Sequence, residues 1–288
     1  MQQRQSPAER ISAARTFLFV PGDRPERFDK AAASGADLVV LDLEDAVAPS
    51  AKQAAREVVR AWLSAERGAL VRINAAGTVW LGKDLELSKE VGLLGFMLPK
   101  AEAGVTLARV AGLKPTVALI ESAAGVATVQ KIAGVPGVKR LAYGTIDLAL
   151  DLETSCDDVL LTIGTQIVVA SRSNGLASPI DGVTAGFMDP TPVEEAMRRA
   201  RKRGFGAKLC IHPAQLQPVR MAFSPTIQEL EWARRVVDAD QASGGAAVAV
   251  DGQMVDKPVV ARAYRTLADA DVSKDAHREL RMNAPPAE

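Results

Sequence analysis

The chain lacks net charge: its 35 Lys and Arg are matched by 35 Asp and Glu over 288 residues. No overall basic field can therefore draw in nucleic acid or an anionic membrane, and any anionic ligand has to be held locally. Cysteine is scarce. Cys156 and Cys210 each lie in an apolar stretch and form no CxxC pair, which argues against a disulfide framework or structural zinc and for a reducing cytoplasm. The two histidines, His212 and His277, do not stand at zinc spacing, so a soft-ligand metal centre is not expected. The N-terminal MQQRQSPAERISAAR has no apolar export core, and no run approaches the roughly 20 apolar residues of a membrane span; a soluble, unexported protein is expected. Also missing are a repeat of fixed period and a glycine-rich fingerprint after the first apolar run, where the sequence reads VPGDRPERF. The first absence excludes a solenoid, and the second counts against a doubly wound dinucleotide-binding sheet.

What is present is a large apolar fraction, 48% of residues, arranged as short β-branched runs alternating with longer segments of helical period. Eight runs read as strands: TFLFVP (16–21), DLVVLDL (37–43), LVRIN (70–74), GFMLPK (95–100), VALIES (117–122), RLAYGTID (140–147), ASPIDGV (177–183) and AKLCIHP (207–213). They are continuous rather than alternating, as parallel strands buried on both faces should be. Eight such units in about 210 residues predict a TIM (β/α)8 barrel. The barrel is expected over 1–222, followed over 223–272 by a helix–hairpin–helix extension of the lid or oligomerisation type (a helix in SPTIQELEWARRVVDADQAS, a hairpin in AVAVDGQMVD, a helix in KPVVARAYRTLADA), with a frayed polar tail over 273–288.

Strand ends on the C-terminal face of such a barrel form the active-site mouth. Acids and cations recur there: Asp42, Glu44 and Asp45 after strand 2, Arg72 and Asn74 on strand 3, Lys100 after strand 4, Glu121 after strand 5 and Asp147 after strand 6. Each alone could be a helix cap or a surface charge; their convergence carries the weight. Glu121 and Asp147, on adjacent strand ends, can give two carboxylate oxygens to one hard divalent cation. Arg72, inside an apolar strand, needs an anion, either a substrate carboxylate or an internal partner such as Asp42 or Glu44, and the two can coexist. His212 reads as a packing or supporting residue rather than a ligand.

RTFLFVPGDRPERF, LVVLDLEDAV, VRIN, MLPKAE, LIESAAGV, YGTIDLALDL, GFGAKLCIHPAQ, FSPT and, most specifically, DGQMVDKPVVARA together resemble the citrate lyase β-subunit-like group of the HpcH/HpaI aldolase superfamily, almost end to end. That resemblance implies a carbon–carbon lyase using Mg2+ (Mn2+ as the substitute) held by Glu121 and Asp147, acting on a short hydroxyacyl-CoA thioester of the malyl-CoA, citramalyl-CoA or citryl-CoA kind. It implies that Arg72, with Gly144 and Lys100, contacts the oxo-acid portion. Asp256 would move the substrate proton from a C-terminal lid that reaches a neighbouring subunit, so a homo-oligomer, trimer or hexamer, is expected, with lyase-complex partner subunits as a further option. One position departs from the family's Gly-x-Glu-Asp: here it reads Gly144-Thr145-Ile146-Asp147, which puts a citryl-CoA substrate in doubt.

In this scheme Glu44 and Asp45 orient the cation through its waters, Arg72 shares the charge that develops on the substrate, and Asp256 is the general acid or base. Arg24 and Lys30, just after strand 1, are the candidates for the CoA phosphates. Two other readings stand beside this one: a CoA-independent, metal-dependent aldolase of free hydroxy-oxo-acids, which has no use for the DGQMVD segment, and a non-catalytic acyl-CoA-binding subunit.

Overall fold

The computed structural model describes residues 5–65, 67–244 and 246–282. Eight strands, β1 (Thr16–Pro21), β2 (Leu38–Asp42), β3 (Ala69–Arg72), β4 (Leu93–Leu98), β5 (Thr116–Ile120), β6 (Val138–Tyr143), β7 (Ile180–Asp181) and β8 (Ala207–Cys210), pair in chain order. All pairings are parallel, and β8 closes on β1 through Thr16 opposite Lys208 and Leu18 opposite Cys210. This is the TIM barrel that the run of eight units predicts.

β7 is the thin stave. ASPIDGV supplies seven residues, but Pro179 has no N–H to give a neighbouring strand and Gly182 ends the run, so only Ile180 and Asp181 join the ladder. By contrast β2, β4 and β5 are buried along their whole length, which is why their sequences, LVVLD, LLGFML and TVALI, are predominantly apolar on both faces.

Alternate residues point inward. Phe17, Leu38, Val40, Leu70, Met97, Val117, Leu119, Ala142, Ile180, Ala207 and Leu209 form one buried cluster inside the barrel. The helix Pro7–Ala13 adds Ile11 to it from the N-terminal end; that helix starts at a Ser6–Glu9 capping box. Full burial of one such side chain contributes about 2 kcal/mol. Carried two residues further along each strand, the same alternation reaches Asp42, Arg72, Glu121, Gly144 and Ile211. The layer above the apolar core is thus polar on one side, and this fixes where chemistry can occur.

The chain divides into two compact units, 1–219 and 220–288. Within the second, the helix Ile227–Ala242 begins at a Thr226–Glu229 capping box, and Ala233, Val236 and Val237 pack with Val255 and Ala263. A hairpin of β9 (Val248–Val250) and β10 (Gln253–Val255) turns at Asp251-Gly252, both at positive φ (52° and 75°), the pair that a two-residue turn of this hand requires. The last helix, Lys257–Met282, runs past Ala270, where the sequence pattern ends it, and Arg262 stacks over Trp232 at 4.1 Å. Residues 283–288, the end of the expected tail, lie outside the described residues. Among the described residues no helix is long and apolar enough to cross a membrane.

Candidate active site

A cavity of about 440 Å³ opens at the C-terminal ends of the strands. Its lining is mixed: Asp42, Asp45, Arg72, Glu121 and Asp147 are charged, and Phe19, Leu119, Ile146, Val183, Leu209 and Ile211 are apolar. The mixture arises because neighbouring staves end differently above one core layer, in acids after β2 and β5 and in Ile211 after β8.

Arg72 takes the internal partner that its buried position demanded. Its Nε donates to Asp42 Oδ1 at 2.8 Å and its Nη2 to Asp42 Oδ2 at 2.6 Å, a two-point fork. Nη1 stands 3.0 Å from Glu44 Oε2 and 3.9 Å from Asp45, and the guanidinium lies over the Phe19 ring at 4.8 Å. Glu44 Oε2 is buried and sits off the donor axis, so it receives no hydrogen bond. Burial opposes the charge on Arg72, but Asp42, Glu44 and Glu121 more than offset it and hold the guanidinium protonated.

Glu121 follows β5 directly and is 3% exposed. The chain turns sharply after it: Ser122 caps the helix Ala123–Ala127, and Asp151 accepts from Ala123 N at 2.6 Å. The Lys100 main-chain N–H donates to Glu121 Oε1 at 2.8 Å, an aim achieved with Lys100 at φ +47°, a conformation few non-glycine residues adopt. Glu121 Oε2 faces Gly144, where a Cβ would stand 2.6 Å from it; glycine is needed there because the backbone passes against the carboxylate. Burial first, and then Glu44 and Asp147, push Glu121 up to about 8. Burial likewise pushes Glu44 up to about 7, with Arg72 and Lys100 opposing and Asp45 adding.

Asp147 is not at a strand end, as its spacing suggested. β6 stops at Tyr143, and Asp147 sits in the first turn of the helix Thr145–Asp151, half-buried, in the lining of the cavity that Glu121 also lines. Glu44 and Asp45 likewise lie in the loop after β2, because β2 ends at Asp42. That loop is pinned by the buried Lys52, whose Nζ donates to Leu43 O at 2.8 Å and Glu44 O at 2.9 Å. The half-exposed Lys100 ammonium reaches Glu44 Oε1 at 3.6 Å. Burial opposes its charge, but Glu44, Asp45, Glu121 and Asp147 together raise its pKa.

Other expected residues fall elsewhere. Arg24 is exposed and 3.8 Å from Asp23, Lys30 is exposed on the helix Phe28–Ala32, and neither lines the cavity. His212 caps a short turn through Nδ1 and stacks on Phe187 at 4.5 Å. Cys156 is exposed rather than set in an apolar stretch, and Cys210 is buried. Asp256, in the second unit, is exposed, and its Oδ1 accepts from Val259 N at 3.3 Å, the geometry of a helix N-cap. Missed in the sequence were the main-chain donor of Lys100, the loop anchor Lys52 and the apolar part of the lining. Only that part had a signal, the inward parity of Phe19 and Ile211.

These residues fit a hard divalent cation. The donors are oxygens only, Glu121 Oε2 has a cradle that a Cβ would fill, and the cavity holds more carboxylate than Arg72 can neutralise. Among the described residues no three His, Cys, Asp or Glu side chains converge as a metal cluster, so the protein would offer two carboxylates and leave the other positions to water or substrate.

The family model described as HpcH/HpaI aldolase/citrate lyase matches residues 15–213. The chain is 38% identical over 262 residues to the citrate lyase subunit beta-like protein of Mycobacterium tuberculosis, covering 88% of this chain and 94% of that one. It is 33% identical over 271 residues to a (3S)-malyl-CoA thioesterase of Cereibacter sphaeroides, covering 89% and 94%. Among solved structures it is similar to CitE of M. tuberculosis in complex with magnesium, acetoacetate and coenzyme A, at TM-score 0.81 and 37% identity over 90% of this chain and 99% of that one.

Proposed function

The chain belongs to the HpcH/HpaI aldolase/citrate lyase family, and from that premise we propose that it is a magnesium-dependent carbon–carbon lyase acting on a short hydroxyacyl-CoA thioester. The observation that carries this is the meeting of Glu121 and Asp147 in one cavity with Arg72, where buried carboxylate exceeds fixed positive charge. The relative solved with magnesium, acetoacetate and coenzyme A supports both the cation and the thioester.

Glu121 and Asp147 would hold the cation, which would supply Lewis-acid stabilisation to the substrate's hydroxyl oxygen as it gives up its proton ahead of bond cleavage. The Lys100 N–H and Gly144 keep the Glu121 carboxylate aimed. Arg72, held by Asp42 and with Glu44 at its Nη1 edge, adds its positive charge beside the substrate's carboxylate or nascent carbonyl. Asp45 and Glu44 orient bound water. In cleavage the substrate's hydroxyl proton would leave to the water that Asp45 and Glu44 orient, while Asp256, from the extension of a neighbouring copy, protonates the thioester enolate; condensation runs both transfers in reverse. Arg24 and Lys30 offer their charges to the CoA phosphates.

The test is turnover of malyl-CoA and citramalyl-CoA by the full-length chain with and without magnesium. Acetyl-CoA plus glyoxylate or pyruvate should appear only with the metal; no turnover of any thioester, by a chain that binds the metal, contradicts the reading. Asp256→Asn keeps a good helix cap but no acid, and should cut turnover about 10²–10⁴-fold with oxo-acid binding intact. The thioesterase relative favours a second reading, hydrolysis of the thioester bond. Malate and free CoA, instead of glyoxylate and acetyl-CoA, would identify it.

A further inference from the structure

We infer that a second cavity, on the flank of the barrel, is a binding site for a small organic anion, a carboxylate or phosphate head on a short carbon body. This goes beyond the lyase reading and does not depend on it.

The cavity, of about 460 Å³, lies beside the two-residue stave β7. Ala142, Ile180 and Ala207 point into the barrel, so by alternation Tyr143, Asp181 and Lys208 point outward from β6, β7 and β8. These three line the cavity together with residues of the helices Asp157–Ser173 and Thr191–Lys202. Lys208 is 2% exposed, and its Nζ donates to Asp181 Oδ2 at 2.7 Å and to Gly182 O at 2.8 Å. One of its three N–H groups is left without an acceptor among the described residues. A buried ion pair is weak evidence of a stabilising role, since an apolar pair of the same size packs as well. One that opens onto a cavity suits a polar ligand.

Two further cations line the same space. Arg199 and Arg203 lie four residues apart along one helix, the second at its C-cap, and like charges at that spacing repel. Arg199 has Glu195 at 3.8 Å, with both side chains exposed, and Arg203 is exposed and has no ion-pair partner among the described residues. An oxyanion between them removes the repulsion and accepts two-point hydrogen bonds from a guanidinium fork. The acids in the lining are Asp181, already paired with Lys208, and Asp157. Cations are therefore in excess here. The cavity adjoins the mouth at Thr145 and Val183, yet at the mouth four acids face Arg72 alone. Leu160, Leu161 and Val183 offer the carbon body an apolar bed, and the Tyr143 hydroxyl is already donating to Leu160 O at 2.8 Å.

The test is calorimetric titration of the full-length chain, stripped of metal so that the acidic mouth repels anions, with inorganic phosphate and with butyrate at low salt. At least one probe should bind with a Kd of about 1 mM or below, and the tighter of the two identifies the head group. Arg199→Gln with Arg203→Gln, its fold checked by circular dichroism, should weaken that binding about tenfold or more, whereas Arg24→Ala with Lys30→Ala should leave it within about twofold. Binding of neither probe overturns the inference. So does binding that survives the Arg199 and Arg203 changes, or that disappears with the Arg24 and Lys30 changes, which would place the anion at the rim of the mouth. The Arg199→Gln, Arg203→Gln variant should keep magnesium-dependent turnover of thioesters, so failure here is distinguishable from failure of the lyase reading.

Discussion

Arg140 at the N-terminal end of the barrel and Arg72 at its mouth are both largely shielded from solvent, and they are satisfied in opposite ways. At the N-terminal end, Arg140 is 2% exposed and donates to the carbonyls of Ile11, Ser12, Ala14 and Ser178 at 2.6–3.3 Å. Burial lowers its pKa, with only Asp37 opposing, and its acceptors are neutral dipoles fixed by the backbone. At the mouth, Arg72 is surrounded by carboxylates: Asp42 forks it, Glu44 and Asp45 crowd its other edge, and Glu121 adds its field. An arginine among carbonyls ties elements together, here the first helix to the barrel floor. An arginine outnumbered by acids leaves negative charge uncompensated, and such a surplus is useful only if a cation or a reacting group arrives to receive it.

The largest expected effect is at the floor. Arg140→Met removes the donor from four carbonyls, two of them, on Ile11 and Ala14, buried, and should cost about 3–5 kcal/mol of stability while leaving turnover per folded molecule unchanged, as read from denaturant melts and active-site titration. Arg72→Lys reverses the pattern. It keeps the charge but loses the fork, so magnesium-dependent turnover should fall about 10²-fold with stability changed by roughly 1 kcal/mol or less. If the two variants show the same ratio of stability loss to activity loss, the contrast between the ends is wrong.

A smaller effect concerns pH. Glu44 is held up to about 7 in the folded chain, above its ordinary value of 4.5, so the folded state binds a proton that the unfolded chain has already released. That contribution is fully present below about pH 4.5 and is lost as pH rises through about 7. Without metal, stability should therefore decline between those values, on the order of 1–3 kcal/mol from Glu44, and Glu44→Gln should lessen the decline while Glu121, held up to about 8, keeps the remainder. Thermal melts in a chelator from pH 4.5 to 8 check this. The smallest effect is at the rim: Arg24→Ala with Lys30→Ala should raise KM for a CoA thioester only a few-fold, and less at high salt, because both side chains are exposed. An unchanged KM at low salt removes them from the CoA site.

Most of the barrel was legible because buried parallel strands are written as unbroken apolar runs, and VALI or LVVL leaves little else to read. β7 was not, since ASPIDGV gives no hint that only Ile180 and Asp181 pair. Charged residues show in a sequence, so Glu121, Asp147 and Arg72 could be named, but Asp147 was placed on a strand because periodicity does not mark where β6 yields to a helix. The Lys100 N–H on Glu121 joins residues 21 apart, and the Lys52 ammonium reaches carbonyls nine and eight residues back; both contacts involve main-chain atoms, which side-chain patterning does not encode.

The central claim is that Glu121 and Asp147 jointly hold one hard cation at the mouth. Manganese titration followed by electron paramagnetic resonance tests it without reference to activity. The unaltered chain should bind one ion per chain, and Glu121→Gln with Asp147→Asn should abolish that binding while the fold, checked by circular dichroism, is kept. Undiminished binding in the double variant would place the metal elsewhere and contradict the account.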